Sequence, residues 1–327
     1  MRIIRRIFCL LFIVVACQVQ VSAQQVPLYS QYMLNGFLLN PAVAGSEGYT
    51  AVNLTAREQW IGFRDAPGTY ALSYQTRILR KSYISKSASV RKRQRYSSRS
   101  GKVGVGGYVF SDRNGAVEKT GLKASYAYHL FFGNSQLSLG MSLTAFQLRL
   151  NDDKIILDDD NDNIWLNARG TAFIPDADMG IYFDTPDYYI GFSADQLLES
   201  VIKLGDTGYD QYRQERNYYV IAGYDIPINN YLVLTPSTLL KMADNGAFQG
   251  DFSAKLYYDQ TYWGGLTYRT GNALIVLAGL RIDRLIFGYA FDLSMGSIMK
   301  HSFGTHEFIF AAQFGDNARR YRWLNRY

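Results

Sequence analysis

Thr120-Gly121-Leu122-Lys123-Ala124-Ser125-Tyr126-Ala127-Tyr128-His129-Leu130 is the stretch on which the fold turns. A strand sends successive side chains to opposite faces, so Thr120, Leu122, Ala124, Tyr126, Tyr128 and Leu130 share one face, and Gly121, Lys123, Ser125, Ala127 and His129 share the other. One row is apolar and aromatic; the other is small, polar or charged. After Phe131 to Ser135 the pattern resumes, with Leu137, Leu139, Met141, Leu143 and Ala145 opposed to Gln136, Ser138, Gly140, Ser142 and Thr144.

The same alternation recurs along the chain. It sets apart Tyr218, Val220, Ala222, Tyr224 and Ile226, then Phe252, Ala254, Leu256 and Tyr258. Leu285, Phe287, Tyr289 and Phe291 follow, and Phe308, Phe310, Ala312 and Phe314 close the series. Counted together, such segments predict about 14 strands of roughly 8 to 15 residues. Soluble sandwiches and barrels alternate too, but their strands usually stop near 5 to 6 residues, whereas a tilted bilayer crossing needs about 9 to 11. Tyr and Phe gather toward the segment ends, where aromatic girdles sit. The reading is an all-β, transmembrane antiparallel β-barrel of about 14 strands.

Composition agrees. The chain has 327 residues, 48% of them hydrophobic and 19% charged, with 26 Tyr, 19 Phe and 29 Gly but only 7 Pro. That balance excludes a disordered or collagen-like chain. Mean hydropathy is −0.13, and beyond residue 16 no uncharged apolar run approaches the ~20 residues of a helical span.

Residues 1–23 have the layout of a cleaved secretory signal. Arg2, Arg5 and Arg6 precede the apolar run Ile7 to Ala16, and Val21-Ser22-Ala23 forms a small-residue cleavage site before Gln24. The apolar run is too short for a membrane anchor. Val14-Val15-Ala16-Cys17 also resembles a lipoprotein box, which would leave Cys17 lipidated. Cleavage after Ala23 removes both cysteines, and with them any disulfide or thiol chemistry. It also lowers the formal charge of +6 to +3, because three arginines leave with the signal.

Loop lengths predict a topology. With an even strand number and a periplasmic amino terminus, connections after even strands face the periplasm and are short. Phe131 to Ser135, Thr185 to Asp187, Pro227 to Asn230, Asp259 to Gln260 and Asp283 to Arg284 fit; the long Asn151 to Pro175, Asp195 to Arg216 and Ser294 to Gly304 fall on the opposite side. One exception is Lys81 to Lys102, which parity assigns to the periplasm and which carries eight basic residues and no acid. Arg91, Lys92, Arg93 and Arg95 at its centre are candidate contacts for an acidic periplasmic partner, with the basic tail of residues 315–327 on the same side. Without that segment the mature chain sums to −5. Nucleic acid is not an expected partner; outer-membrane lipid is.

Chemistry-bearing motifs are scarce. Asp158, Asp160 and Asp162 have the alternate spacing of a calcium loop, but Asn163 replaces its Gly and Arg169 its bidentate Glu. His301 and His306 beside Glu307 lack the ligand number and spacing of a zinc site. No nucleophile elbow, phosphate loop or dinucleotide fingerprint occurs, so neither catalytic residue, metal nor cofactor is expected.

Pro27-Leu28-Tyr29-Ser30-Gln31-Tyr32, followed by Asn40-Pro41-Ala42-Val43-Ala44-Gly45-Ser46, resembles the opening signature of the PorP/SprF family. So do Arg57, Gln59 and Trp60-Ile61-Gly62-Phe63, Ala66-Pro67-Gly68-Thr69, Tyr189-Ile190-Gly191-Phe192-Ser193-Ala194, Pro236-Ser237 and Trp263-Gly264-Gly265-Leu266-Thr267-Tyr268-Arg269. Gly288-Tyr289-Ala290-Phe291-Asp292 and Gly304-Thr305-His306-Glu307 complete the resemblance, which runs from Gln24 to Phe314. Thr305 and Phe291 stand where the family usually has Ser and Tyr, and neither Lys81 to Lys102 nor the tail matches the pattern.

The resemblance implies a non-enzymatic outer-membrane component of type IX secretion, used for exporting or anchoring surface adhesins and for gliding. It also implies periplasmic lipoprotein and peptidoglycan-binding partners, and engagement of the C-terminal sorting domain of secreted proteins. A diffusion porin is the alternative. The expected organisation is a signal at 1–23, a periplasmic or plug segment at 24–50, a barrel at 51–314 with a basic excursion at 81–102, and a tail at 315–327. Within the plug segment, Pro41 restricts Asn40 to extended backbone; Asn40 and Pro41 are candidate partner contacts, on the rim or inside the barrel.

Overall fold

A computed structural model describes residues 29–78, 102–150, 171–199, 201–204, 210–271, 273–295 and 302–314. The signal, the centre of the basic segment with Arg91, Lys92, Arg93 and Arg95, most of the acidic loop and the tail lie outside the described residues.

Among the described residues, seventeen strands follow two short 3₁₀ turns, Gly36–Leu38 and Pro41–Val43. They are β1 (Thr50–Glu58), β2 (Gly68–Ile78), β3 (Val103–Asn114), β4 (Val117–Phe132), β5 (Ser135–Leu150), β6 (Thr171–Asp184), β7 (Tyr188–Asp195), β8 (Val201–Leu204) and β9 (Asp210–Arg213). Then come β10 (Asn217–Tyr224), β11 (Ile226–Pro227), β12 (Leu232–Ala243), β13 (Phe248–Tyr258), β14 (Tyr262–Arg269), β15 (Ala273–Ile282), β16 (Leu285–Ser294) and β17 (Thr305–Phe314). Strands β8 and β9 pair with each other in a separate hairpin, and β11 is a two-residue annex of β12. The other fourteen are antiparallel staves of a single wall.

The wall closes. Strand β1 pairs with β17 from Thr50↔Phe314 to Glu58↔His306, and β10 pairs with both β7 and β12. In hydrocarbon an unpaired edge would strand a row of N–H and C=O groups, so closure is what makes these strands compatible with a membrane. Tight turns help, as at Asp259 and Gln260, whose positive φ values of 48° and 55° give the primed hairpin twist that joins β13 to β14.

Sidedness follows the alternation read from the sequence. Leu122, Tyr126, Leu139, Met141, Leu143, Phe252, Phe287 and Phe310 are exposed outward, whereas Ser125, Ala127, His129, Ser138 and Ser142 are buried inward. This inverts a soluble protein. Phe132, Tyr188, Tyr224, Tyr231, Tyr258, Tyr262 and Phe314 form an exposed aromatic belt at one end, and Tyr70, Phe173, Phe248, Tyr268 and Phe308 form another at the opposite end.

The turns β4–β5, β6–β7, β10–β12, β13–β14 and β15–β16 and the two ends of the connection from Ile78 to Val103 share the first end, called here the short-turn end; the brief β3–β4, β12–β13 and β14–β15 turns lie at the opposite end. The long connections share the other.

Residues 29–46 lie inside the barrel rather than on its rim, and they run against the direction of β1. Ser30 bonds to Glu307 and Asp292 near the long-loop end, while Gly45 and Ser46 bond to Arg77 and Gln136 at the short-turn end. The chain then turns into β1. The inward rows of Ser, Thr and lone charges face this segment, which supplies donors and acceptors that water would otherwise provide.

Glycines on the inner face make room for it. A Cβ on Gly140 would strike the backbone at Pro41 and Ala42, and one on Gly180 would strike the Asn40 side chain. Gly140→Val and Gly180→Val are therefore expected to unseat the segment at an overpacking cost of about 1–3 kcal/mol. A lower unfolding temperature of the purified barrel is the readout. Gly264→Ala, whose new carbon would meet only the Leu277 carbonyl at 3.7 Å, should leave that temperature unchanged.

Candidate functional site

Antiparallel pairing places Arg57 of β1 directly opposite Glu307 of β17, and Asp251 of β13 directly opposite Arg269 of β14. All four point inward near the long-loop end, and Asp292 of β16 joins them. Arg57 Nη2 lies 2.7 Å from Asp292 Oδ2, and Nη1 lies 3.1 Å from Glu307 Oε2. Arg269 meets Asp251 in a forked contact, Nε to Oδ1 at 2.9 Å and Nη2 to Oδ2 at 2.7 Å, and reaches Asp292 Oδ2 from Nη1 at 3.3 Å. The cluster is almost wholly enclosed, with side-chain exposures of 0% for Glu307 and Asp251 and 8% for Arg269.

Two guanidinium groups face three carboxylates. The deficit is met by the plug itself, because the backbone N–H groups of Ser30 and Gln31 donate to Glu307 Oε2 and Oε1 at 2.7 and 2.9 Å. Ser30 Oγ accepts from Arg57 Nη1 at 2.6 Å and donates to Asp292 Oδ2 at 2.9 Å. A buried carboxylate with its hydrogen bonds removed carries a desolvation penalty of several kcal/mol. The cluster therefore needs the plug, and the plug is held by the cluster.

The rest of the segment is tied to the wall in turn. Tyr32 OH lies 3.3 Å from Ser237 Oγ and 3.4 Å from Ser253 Oγ, and Asn35 Nδ2 donates to Ser73 Oγ at 3.2 Å. Ser193 Oγ donates to the Leu39 carbonyl at 2.6 Å. Asn40 Nδ2 donates to the carbonyls of Ile181 and Phe192 at 3.0 and 3.2 Å, while its Oδ1 caps the Pro41–Val43 turn by accepting from Ala42 N–H at 2.9 Å. Asn40 is extended (φ −139°, ψ 114°), as the following proline requires. Asn40 and Pro41 are thus buried inside the barrel, where these contacts seat the plug. His129 completes the anchorage: a carbonyl can only accept, so Nε2 donates to Ala44 O at 3.1 Å, and Nδ1 accepts from Ser138 Oγ at 2.8 Å.

The sequence motifs converge on this site. Ser30, Gln31, Arg57, Arg269, Asp292 and Glu307 each sit in a motif quoted above, yet the motifs are spread over some 280 residues. Read singly, none of these residues declares a role, and Asp251 lies in no motif at all. The usable signal was the lone charge on an inward row close to a strand end, repeated in β1, β13, β14, β16 and β17.

The family model for type IX secretion system membrane protein PorP/SprF matches residues 21–311. The chain belongs to the PorP/SprF family. No curated protein matches it. Among solved structures, this PorP/SprF chain is similar to a TodX mutant described as a monoaromatic hydrocarbon channel, at 8% identity and a TM-score of 0.43, over 85% of this chain and 93% of that one. It is also similar to the NanC porin (10% identity, TM-score 0.35, 81% and 99% covered) and to BamA from Haemophilus ducreyi (9%, 0.39, 81% and 70%).

Removing Arg57 leaves three buried carboxylates facing one guanidinium, and removing Glu307 strands the buried Ser30 and Gln31 N–H groups. Arg57→Ala and Glu307→Ala are each expected to destabilise the PorP/SprF barrel by about 3–5 kcal/mol and to raise its conductance in planar bilayers as the plug loosens. The double replacement Arg57→Ala with Glu307→Ala should cost less than the two singles summed, which a double-mutant cycle of thermal unfolding measures.

Proposed function

We propose that this PorP/SprF protein is a non-enzymatic, plugged outer-membrane component of type IX secretion. In this reading it binds or anchors secreted surface proteins, such as gliding adhesins, through their C-terminal sorting domain. The observation that carries the proposal is the plug: a barrel whose lumen is crossed by its own buried, ion-clustered segment is built for docking rather than for free diffusion of solutes. Family membership supports the secretion role, and the charged residues around Glu307, being committed to one another and to the plug, support a role without turnover.

The short-turn end is assigned to the periplasm, in keeping with the habit of outer-membrane barrels. The basic segment from Lys81 to Lys102 then offers a docking charge to the periplasmic lipoprotein and peptidoglycan-binding components of the machinery, and the long-loop end meets the exported protein. Amino-terminal export by residues 1–23 belongs to the same proposal.

Extraction in mild detergent followed by mass spectrometry tests the central statement. An exported protein and periplasmic components should copurify; a barrel recovered alone, conducting ions as a porin does, overturns it. Replacing Arg91, Lys92, Arg93 and Arg95 with Ser should leave assembly intact and reduce crosslinking to the periplasmic partner. Protease added to intact cells should spare Lys81 to Lys102, and cleavage there would reverse the orientation.

A further inference from the structure

Beyond Glu58 and before Thr305 the β1–β17 seam continues past the barrel as a short ledge at the long-loop end. Backbone bonds fix it: Ile61 N–H donates to the Gly304 carbonyl at 2.9 Å, Phe303 N–H donates to the Ile61 carbonyl at 2.7 Å, and Gln59 N–H donates to the Pro67 carbonyl at 2.8 Å. Trp60 N–H donates to Thr305 Oγ1 at 3.2 Å, and Trp60 holds φ at 47°, a left-handed conformation that a bulky residue keeps only where its surroundings impose it. The ledge nevertheless presents apolar side chains, with Ile61 and Phe63 each 40% exposed and Phe303 77% exposed. Ile61 stands five positions past Ala56, which pairs with the belt residues Tyr70 and Phe308. At about 3.3 Å per residue and a tilt near 40°, that is a climb of roughly 12 Å above the belt, out of reach of the hydrocarbon. A fixed apolar patch in water marks a surface that another segment or partner covers.

We infer that the chain's own Val26-Pro27-Leu28 covers this ledge as a strap, so that the mature amino terminus comes out at the long-loop face rather than at the face where β1 begins. The direction of the plug carries the inference. Tyr29 is the first described residue, and the Ser30 and Gln31 N–H groups are bonded to Glu307, on the strand that Phe303 precedes by four residues. Four residues of extended chain span about 13 Å. Cleavage after Ala23 leaves five residues, 24–28, ahead of Tyr29, and their extended reach is about 17 Å. The segment therefore reaches the ledge and little beyond it. Its chemistry matches too, because Val26, Pro27 and Leu28 are apolar and Pro27 biases Val26 to extended backbone. The way down to the short-turn end is taken by the plug itself, which is bonded to the wall at Asn35, Leu39 and Gly45.

The strap is independent of the secretion role proposed above; only its lying outside the cell rests on the orientation given there. Paired cysteines test it in the full chain purified in detergent, since cleavage after Ala23 leaves no native cysteine. On oxidation with copper phenanthroline, Leu28→Cys with Phe303→Cys and Val26→Cys with Phe63→Cys should each form a disulfide within one chain, read by mass and by loss of maleimide-reactive thiol. Leu28→Cys with Asn230→Cys, an exposed position at the short-turn end, should form none. In intact cells a membrane-impermeant maleimide then gives the side: Gln25→Cys should react as Arg64→Cys does, and unlike Asn230→Cys.

If Gln25→Cys and Arg64→Cys are both protected while Asn230→Cys reacts, the orientation is reversed and the strap stands. Labelling of Gln25→Cys in step with Asn230→Cys overturns the inference. Failure of both ledge pairs to crosslink overturns it as well and leaves the ledge to an exported protein, and a disulfide found only between two chains overturns it in favour of a second copy. The two pairs replace exposed side chains on the ledge, so the outcome does not depend on either one alone.

Discussion

A bilayer offers no hydrogen-bond partner to a peptide group, and every other feature of this protein follows from meeting that constraint. Fourteen staves satisfy it only by closing, β1 onto β17 and β7 onto β12 through β10. Closure places one face of every strand in lipid and the other in an enclosed space. The outer face can then be apolar without limit, and the inner face must find polar company of its own.

Many large barrels find it in water. Here the company is the chain's own amino-terminal segment, held inside by backbone donors to Glu307 at one end and by Arg77, Gln136 and His129 at the other. The arrangement is reciprocal. The ion cluster of Arg57, Asp292, Glu307, Arg269 and Asp251 is one positive charge short, and the plug's N–H groups make up the difference; the plug has little regular structure of its own and takes its shape from the wall. Small residues complete the fit, since Gly140 and Gly180 let the Asn40 to Ala42 backbone approach more closely than any side chain would permit.

The long-loop end holds two charged clusters on opposite walls. Around Glu307 the backbone N–H groups of the plug answer the surplus carboxylate, and across the lumen Lys123 sits between Asp178 and Asp195. Each keeps buried polar atoms without a hydrogen-bond partner among the described residues, Arg57 Nε and Asp292 Oδ1 in the first, Asp176 Oδ2 and Asp195 Oδ1 in the second.

The amino-acid sequence by itself determined the wall. Period-two alternation is a local property, and the rows read around Leu122, Leu139, Phe252, Phe287 and Phe310 are the rows that face lipid, because a strand in a barrel has no freedom to turn them elsewhere. The strand number, and the placing of every long connection but the basic one at a single end, were legible for the same reason. What only the tertiary structure decided was the interior. Ser30 and Glu307 are 277 positions apart, Arg57 and Glu307 250, and no local pattern couples them; their meeting depends on the register at closure and on a plug that runs from the long-loop end to the short-turn end before β1 begins. Side-chain alternation is set residue by residue, whereas a buried ion cluster is set by the whole ring of pairings at once, so the first can be read along the chain and the second only across it.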